Sequence, residues 1–197
     1  MCPAPEPLKF SLTHIRRRLE PLKPTSAPVA GRRAAVAMIF SGANQAEELL
    51  FIRRAEREND PWSGDIAFPG GGIEAQDIDC RAAAERETRE EIGLSLTQKE
   101  YLGYLGTVGG SALPVSVSAH VYHLHQLPRL APNFEVFETL SLPLQVLRDP
   151  QRNRIQSFTY GGTGHQHPIV DLHGYAPRCL WGLSYRLVQI FFAVLKP

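Results

Sequence analysis

Apolar residues along the chain fall into continuous runs and helical stripes, and each pattern predicts a different element. The run AAVAMIF at 34–40 is typical of a strand buried on both faces. LLFIRR at 49–54 is a second such run, and the polar segment between them is typical of a turn. The two runs are therefore predicted to form a β-hairpin. The next stretch, 55–72, is rich in glycine and proline and is predicted to be mostly loop.

Helical spacing is clearest at 80–92, CRAAAERETREEI, where alanine, glutamate and arginine dominate. Asp77 or Asp79 is placed to cap the start of this helix, and Gly93 stands where a helix commonly ends. The stretch 180–195 is predicted to be a second long helix. Its predicted inner face carries Leu183, Leu187, Ile190 and Val194.

The remaining elements are predicted from alternation and from turn signals. They are strands at 101–108 and 113–127, a short strand or helical turn at 140–147, and a pair of strands at 154–162 and 167–172. Strands and helices in this order are typical of an α/β or α+β domain with a mixed sheet.

Proline dominates the start of the chain, with six prolines in residues 1–30. We predict an N-terminal arm over 1–30, followed by one domain over 31–197. The arm is predicted to hold a short amphipathic helix. Its apolar stripe consists of Leu8, Leu12, Ile15, Leu19 and Leu22.

A length of 197 residues suits one core with an appended arm. The distribution of charge says more about the kind of site that the chain carries. The net charge of +1 gives no support for nucleic-acid binding. It conceals a net charge of −7 over 58–100, against +5 over 1–57 and +3 over 101–197. An acidic centre between basic flanks suits a cation site among groups that bind an anionic substrate. A solvated acidic helix face would give the same composition.

Cysteine usage and hydropathy bear on location. Cys2, Cys80 and Cys179 are widely spaced and form no CxxC pair, so neither a disulfide framework nor a zinc site is indicated. A reducing, cytoplasmic location is expected. No apolar run approaches the ~20 residues that a membrane-spanning helix needs, so no membrane role is expected. The first ten residues lack a secretory hydrophobic core.

Three carboxylates, those of Glu87, Glu90 and Glu91, share one face of the helix predicted at 80–92. Like charges at this spacing repel, and burial would strengthen the repulsion. A divalent cation removes the conflict, and an all-oxygen ligand set suits Mg²⁺ or Mn²⁺. The glycines at 70–72 let the backbone approach such a site closely.

The segment 86–94, RETREEIGL, resembles the second half of the Nudix box, G-x5-E-x7-R-E-U-x-E-E-x-G-U with U apolar. Thr88 stands where an apolar residue is usual. The matching residues are Arg86, Glu87, Glu90, Glu91, Gly93 and Leu94.

The front half of the box aligns in two ways. Counting forward from Gly71 places Asp77 at the position of the first glutamate and leaves one extra residue before Arg86. Counting back from Arg86 reaches Gly72 but places Ile78 at that position. We favour the alignment on Gly71, with a longer loop and Asp in place of Glu.

The resemblance implies a Nudix-like α/β/α sandwich with a mixed sheet and a loop–helix–loop metal site. It implies hydrolysis of a small-molecule diphosphate linked to another moiety. Glu87, Glu90 and Glu91 would then hold Mg²⁺ or Mn²⁺, with the Gly71 carbonyl as a further ligand. Arg86 would orient the carboxylates through charge-assisted hydrogen bonds.

Residues 50–71 resemble the motif that precedes the box in coenzyme A pyrophosphatases, roughly L-L-T-x-R-[SA]-x3-R-x3-G-x3-F-P-G-G. LWGLSYRLV at 180–188 is similar to a helix start of the same group. Coenzyme A or a derivative is therefore the implied substrate. Asp60 stands where the motif has an arginine, and the spacing is one residue longer. The matching residues are Arg54, Ala55, Gly64, Phe68, Pro69, Gly70 and Gly71.

The departure at Asp60 leaves two readings of specificity open. Either Arg57 supplies the missing guanidinium, or the substrate lacks the 3′-phosphate that an arginine would help to hold. Phosphates are expected to contact Arg53, Arg54 and Arg57 together with the backbone of Gly71 and Gly72.

The general base of many Nudix enzymes comes from a loop after the box, so Glu135 and Glu138 are candidates here. For both glutamates, and for the three arginines, a plain surface position is the alternative. Trp62 and Trp181 are interpreted as packing groups.

Other functions stay open beside coenzyme A hydrolysis. One is a Nudix hydrolase acting on ADP-ribose, a nucleotide sugar or a dinucleotide. Another is a catalytically silent Nudix-like module that binds a nucleotide. Assembly as a homodimer is also left open.

Overall fold

The fold is described from a computed structural model over residues 11–24, 31–42, 47–58, 60, 62–110, 114–160 and 163–196. Four helices and nine strands form in these ranges. The helices are α1 (Leu12–Leu19), α2 (Cys80–Ile92), α3 (Leu144–Arg148) and α4 (Gly182–Leu195). The strands are β1 (Arg32–Ser41), β2 (Glu48–Arg54), β3 (Ile66–Ala67), β4 (Gly70–Gly72), β5 (Tyr101–Gly109), β6 (Val115–Leu124), β7 (Val136–Pro143), β8 (Asn153–Tyr160) and β9 (Thr163–Val170).

Seven strands form one mixed sheet in the order β3-β2-β1-β6-β5, with β4 also on β1 and β7 also on β2. The predicted hairpin is present, since Ile39 pairs with Leu50 across β1 and β2. β1 and β6 run parallel along their whole length, and the other described pairings of the sheet are antiparallel.

The glycine-rich segment contains two short strands that the sequence pattern did not predict. β3 pairs with β2, whereas β4 pairs with β1. Gly70 permits this close approach because its φ is +147° and a Cβ there would lie 2.3 Å from the Ala35 carbonyl oxygen. The stretch 55–72 is otherwise mostly loop in its described residues, as predicted, and these five residues form strands because distant backbone partners, rather than side-chain alternation, hold them in place.

α2 covers one face of the sheet and has the predicted bounds. Of the two predicted capping residues, Asp79 caps the helix, because its carboxylate accepts a hydrogen bond from the Ala82 amide at 2.7 Å. Gly93 ends the helix in the left-handed conformation. Small side chains at Ala83 and Ala84 are fully buried and let the helix lie close to β1.

The two faces of β1 separate two hydrophobic cores. Ala35, Ala37 and Ile39 pack in the core that contains α2. Met38 and Phe40 pack in the core that contains α1 and α4. The molecule is therefore the predicted α/β/α sandwich with a mixed sheet.

α4 is a helix as predicted, but its inner face is rotated from the predicted stripe. Leu187 is buried, whereas Leu183, Ile190 and Val194 are only partly buried at the edge of the core. The large rings of Phe191 and Phe192 occupy the centre instead, since they bury more apolar surface than the aliphatic residues.

α1 belongs to the same core as α4. Its Ile15 and Leu19 side chains are fully buried, and the helix contacts β5 and α4. Leu8, the first residue of the predicted stripe, lies outside the described residues. In the described ranges, no helix combines the length and hydropathy needed to cross a bilayer.

The region 140–147 turned out to contain both of the predicted alternatives. β7 runs to Pro143 and α3 follows it at once. Beyond it, β8 and β9 form a separate two-stranded sheet, as the paired strands predicted.

Candidate active site

α2 presents its three acidic side chains at different depths. Glu91 is only 3% exposed, and its carboxylate accepts a hydrogen bond from the Gly70 amide at 2.8 Å. Glu87 is half-buried, whereas the Glu90 side chain is half-exposed. The N-terminal end of β4 and the C-terminal half of α2 thus meet at Glu91.

Arg86 connects the loop before α2 to the acidic face. Its guanidinium binds both carboxylate oxygens of Asp77 at 3.0 Å and the Gly72 carbonyl at 3.0 Å. It also donates to Glu87 at 3.1 Å and to Glu90 at 3.0 Å. These contacts raise the pKa of Arg86, Asp77 foremost. The pairing agrees with the alignment that starts at Gly71, in which Asp77 takes the glutamate position.

Gly71 lies directly against Glu87. A Cβ added to Gly71 would stand 2.5 Å from the Glu87 carboxylate carbon. A side chain at position 71 therefore cannot coexist with the present position of this carboxylate. Glycine is required here for close approach rather than for a special backbone conformation.

Burial dominates the electrostatics of the acidic face. It raises the pKa of Glu91 to about 8, with a further increase from the charge of Glu87 and an opposing hydrogen bond from Gly70. Burial also raises the pKa of Glu87. Two neighbouring carboxylates are thus held where their ionised forms are unfavourable. A bound cation would reverse this penalty.

The donor set fits an oxygen-binding divalent cation, because it combines three carboxylates with a partly buried glycine backbone. The side chains are not gathered around a single point, however. Within the described ranges, no three His, Cys, Asp or Glu residues are grouped closely enough to hold a metal ion. Glu87 and Glu90 instead both contact the same Arg86 nitrogen. Cation binding would therefore require these two side chains to turn away from Arg86.

The pKa of Glu91 predicts a pH-dependent response to metal. The folded protein holds this proton up to about pH 8, whereas the ordinary value is 4.5, so stability falls as pH rises between these values. Mg²⁺ competes with the proton. We expect Mg²⁺ to raise the melting temperature by roughly 5–10 °C at a hundredfold excess over Kd, and by less at about pH 6 than at about pH 8.5. Thermal melts at both pH values test this, and an equal shift would contradict it.

Each of the three predicted phosphate-binding arginines is paired with a carboxylate. Arg53 on β2 donates to Glu138 on β7 at 2.7 Å. The other two pairs are Arg54 with Asp60 at 2.7 Å and Arg57 with Glu135 at 3.1 Å. Asp60 is therefore not an isolated negative charge, and Arg57 is not a free replacement for a missing guanidinium.

The two candidate bases lie in different surroundings. The loop before β7 is tied to the end of α2, since the Asn133 amide donates to the Glu91 carbonyl at 2.8 Å. The charge of Glu135, two residues on, contributes to raising the pKa of both Glu87 and Glu91. Glu138 faces Arg53 instead. The structure therefore brings Glu135 to the acidic face.

Arg54 lies close enough to Glu91 for its charge to lower the pKa of that carboxyl. Its Nε is buried and has no hydrogen-bond partner among the described residues. An unpartnered, buried donor is costly, and an anionic oxygen would satisfy it.

Two aromatic residues that the sequence pattern did not predict as part of the site lie beside these pairs. Phe134 is 82% exposed and Phe137 is 62% exposed, each beneath an arginine. The Arg57 guanidinium lies 5.1 Å from the Phe134 ring centre, and that of Arg53 lies 3.7 Å from the Phe137 ring centre. The repeated Phe-Glu pattern in FEVFE at 134–138 is the sequence feature from which these two aromatic residues could have been predicted.

Comparison with known proteins assigns the chain to a family. The NUDIX domain matches residues 31–155. The chain is 34% identical over 167 residues to the mitochondrial coenzyme A diphosphatase NUDT8 of Homo sapiens, covering 83% of this chain and 70% of the relative. It is 28% identical over 187 residues to the Nudix hydrolase NudL of Enterobacter sp., covering 91% and 92%.

Solved structures agree at the level of the fold. A MutT/nudix family protein from Enterococcus faecalis has a TM-score of 0.60 and 14% identity, covering 93% of this chain and 69% of that one. Nudix hydrolases generally use divalent metal ions, as the donor set on α2 would allow. On the extent of the NUDIX match and the identity to NUDT8, the chain belongs to the Nudix family and is an enzyme of its diphosphatase type.

Proposed function

We propose that the protein hydrolyses the diphosphate linkage of coenzyme A or a close derivative in a metal-dependent reaction. The observation that carries the proposal is the buried Glu91 and the half-buried Glu87 against Gly70 and Gly71, with the unpartnered Nε of Arg54 beside them. A cation and a phosphate oxygen together would satisfy both features. The 34% identity to a coenzyme A diphosphatase supports the choice of substrate.

Glu87, Glu90 and Glu91 would hold Mg²⁺ or Mn²⁺, with the Gly71 carbonyl as a further ligand. The cation would neutralise diphosphate charge and lower the pKa of bound water. Arg86 would keep its two bonds to Asp77 while releasing Glu87 and Glu90. It would then position the loop that carries Gly71 and Gly72 relative to the helix.

Arg54 would donate its free Nε to a phosphate oxygen while Asp60 keeps the guanidinium in place. Arg53 and Arg57 are proposed to contact the second phosphate, each after partial release from its glutamate. The ion pair between Arg57 and Glu135 is half-exposed, so exchange of partners there costs little.

Glu135 is the proposed general base, taking a proton from the attacking water. Glu135→Gln is expected to lower kcat by about 10²-fold or more, because glutamine cannot accept the proton of the attacking water. Glu138→Gln is the matched control, because it alters the other arginine pair of the same strand region. Equal losses in the two variants would contradict the assignment.

A substrate panel tests the function itself. Coenzyme A, ADP-ribose, nucleotide sugars and dinucleotides are supplied with Mg²⁺ or Mn²⁺, and products are identified by mass. We expect coenzyme A to give 4′-phosphopantetheine and adenosine 3′,5′-bisphosphate. Good turnover of a nucleotide sugar without turnover of coenzyme A would overturn the substrate but not the family.

We propose a cytoplasmic location, without a nucleic-acid or membrane partner. The near-neutral charge and the reduced cysteines at 80 and 179 support it. Two relatives carry the word mitochondrial in their names, so fractionation of the producing cells is the test.

A further inference from the structure

A second concave region lies away from the acidic face of α2. It is a cleft of about 740 Å³ between the β8–β9 hairpin and the segment 171–181. None of its lining residues belongs to α2, and its floor includes Asp65 from the loop before β3. Nothing in the hydrolytic arrangement described above uses this cleft.

One wall of the cleft is aromatic. The rings of Phe158 and Trp181 are stacked, 4.5 Å apart and 16° from parallel, and His167 packs against the same indole at 5.4 Å. Phe158 and Trp181 are both only partly buried, so the cleft retains access to the stack. The sequence interpretation of Trp181 as a packing group thus describes only part of its surface. A stacked aromatic wall suits a planar heterocycle.

Asp65 supplies an acceptor beside this wall. Its carboxylate accepts a hydrogen bond from the Trp181 side chain, and burial raises its pKa. A carboxylate can accept about four hydrogen bonds, so capacity remains for an exocyclic amine. The combination of a ring stack and a neighbouring acceptor matches an adenine better than a flexible thiol chain.

The rim carries two arginines with long contacts to their carboxylate partners, and the Nε of Arg154 also donates to the Gln151 carbonyl at 3.2 Å. Arg154 is 3.4 Å from Asp171, and Arg178 is 3.5 Å from Glu56. The arginines near α2 contact their carboxylates at 2.7–3.1 Å. Arg154 and Arg178 are also the more exposed, so their guanidinium donors remain accessible to a phosphate.

The cleft and the hydrolytic residues share one loop. The Asp65 carbonyl accepts from the Arg54 amide at 3.0 Å. Gly64 lies against Arg178, because a Cβ there would stand 2.9 Å from its guanidinium. Residues 64–65 therefore contact Arg178 on one side and Arg54 on the other. A substrate that reaches from one arginine to the other would cross this loop.

We propose that this cleft binds the adenine nucleotide end of the substrate, with the base against Trp181 and Phe158 and a ribose phosphate on Arg178 and Arg154. The inference rests on the proposed function for the identity of the rest of the substrate. It explains how a phosphate outside the diphosphate could be recognised although Asp60 and Arg57 are both paired.

The test uses the intact 197-residue chain without metal and a product, adenosine 3′,5′-bisphosphate, as the probe. The chain has two tryptophans, so Trp62→Phe leaves Trp181 as the reporter. We expect saturable quenching of its fluorescence by the nucleotide and none by 4′-phosphopantetheine. In the same background, Arg178→Gln should weaken nucleotide binding about tenfold. Arg148→Gln, an exposed arginine on α3, is the matched control and should change nothing.

Arg154→Gln provides a second variant with the same expected direction, and thermal melts verify that each variant is folded. Absence of quenching by the nucleotide, or unchanged affinity in both arginine variants, overturns the inference. Coenzyme A turnover is measured on the same proteins. Turnover without nucleotide binding at Trp181 would overturn this inference alone. Nucleotide binding without turnover would overturn the proposed function and leave the cleft as a nucleotide site.

Discussion

Glu91→Gln is expected to reduce kcat on the order of 10³-fold while the protein stays folded. Glutamine has nearly the same size and can still accept the hydrogen bond from the Gly70 amide. It cannot supply the negative charge that a divalent cation needs, and metal stabilisation of a developing charge is worth several kcal/mol. Steady-state kinetics with saturating Mg²⁺ is the measurement.

The same substitution should stabilise the metal-free protein although it lowers turnover. Glu91 is 3% exposed, and its pKa of about 8 means that the folded state binds a proton that the unfolded state has released above pH 4.5. The uncharged glutamine avoids this cost, so the metal-free variant should melt at a higher temperature than the parent near pH 8. The stabilisation by Mg²⁺ should be lost at the same time.

Glu85→Gln is the control on the same helix. Glu85 faces Arg81 and Tyr122, at 2.7 and 3.0 Å, away from the acidic face. It should keep both turnover and the metal-dependent melting shift. Wild-type activity in Glu91→Gln, or an equal loss in Glu85→Gln, would refute the assignment of Glu91 to the cation.

Local signals explain which elements the sequence predicts well. α2 has a capping aspartate, good helix formers and a terminal glycine within one stretch, so its bounds follow from the sequence alone. Gly70 to Gly72 carry no alternation, and their strand depends on backbone partners more than 30 residues away in β1. That information is absent from any local pattern.

The candidate site likewise has features that local sequence predicts and features that it does not. Three carboxylates on one face follow from helical spacing, whereas the choice between Glu135 and Glu138 does not. It depends on the tether between Asn133 and the Glu91 carbonyl and on the register that places Glu138 opposite Arg53. Both are contacts between distant segments. The pairing of Asp60 with Arg54, six residues apart, depends on a loop conformation that neither helical nor strand spacing predicts, and it converts an apparent repulsion into a support for the guanidinium.

Gly71→Ala should lower turnover, although glycine contributes no side chain to the site. The new methyl group would stand 2.5 Å from the Glu87 carboxylate carbon, so this carboxylate must move. A displacement of about 1 Å in a catalytic group costs roughly 10²-fold in rate. We therefore expect kcat to fall by about that factor, with weaker Mg²⁺ dependence of the melting temperature.

The fold should survive this substitution. The atoms that the methyl group would meet belong to the end of a flexible side chain, and no left-handed backbone conformation is needed at this position. Gly109→Ala at the end of β5 is the matched control, because its Cβ would lie 3.9 Å from the nearest atom, the Val115 carbonyl oxygen. Steady-state kinetics and thermal melts of both variants separate a loss of turnover from a loss of stability. If Gly71→Ala keeps full turnover, the carboxylate of Glu87 is not required at its present position, and its proposed role as a metal ligand fails.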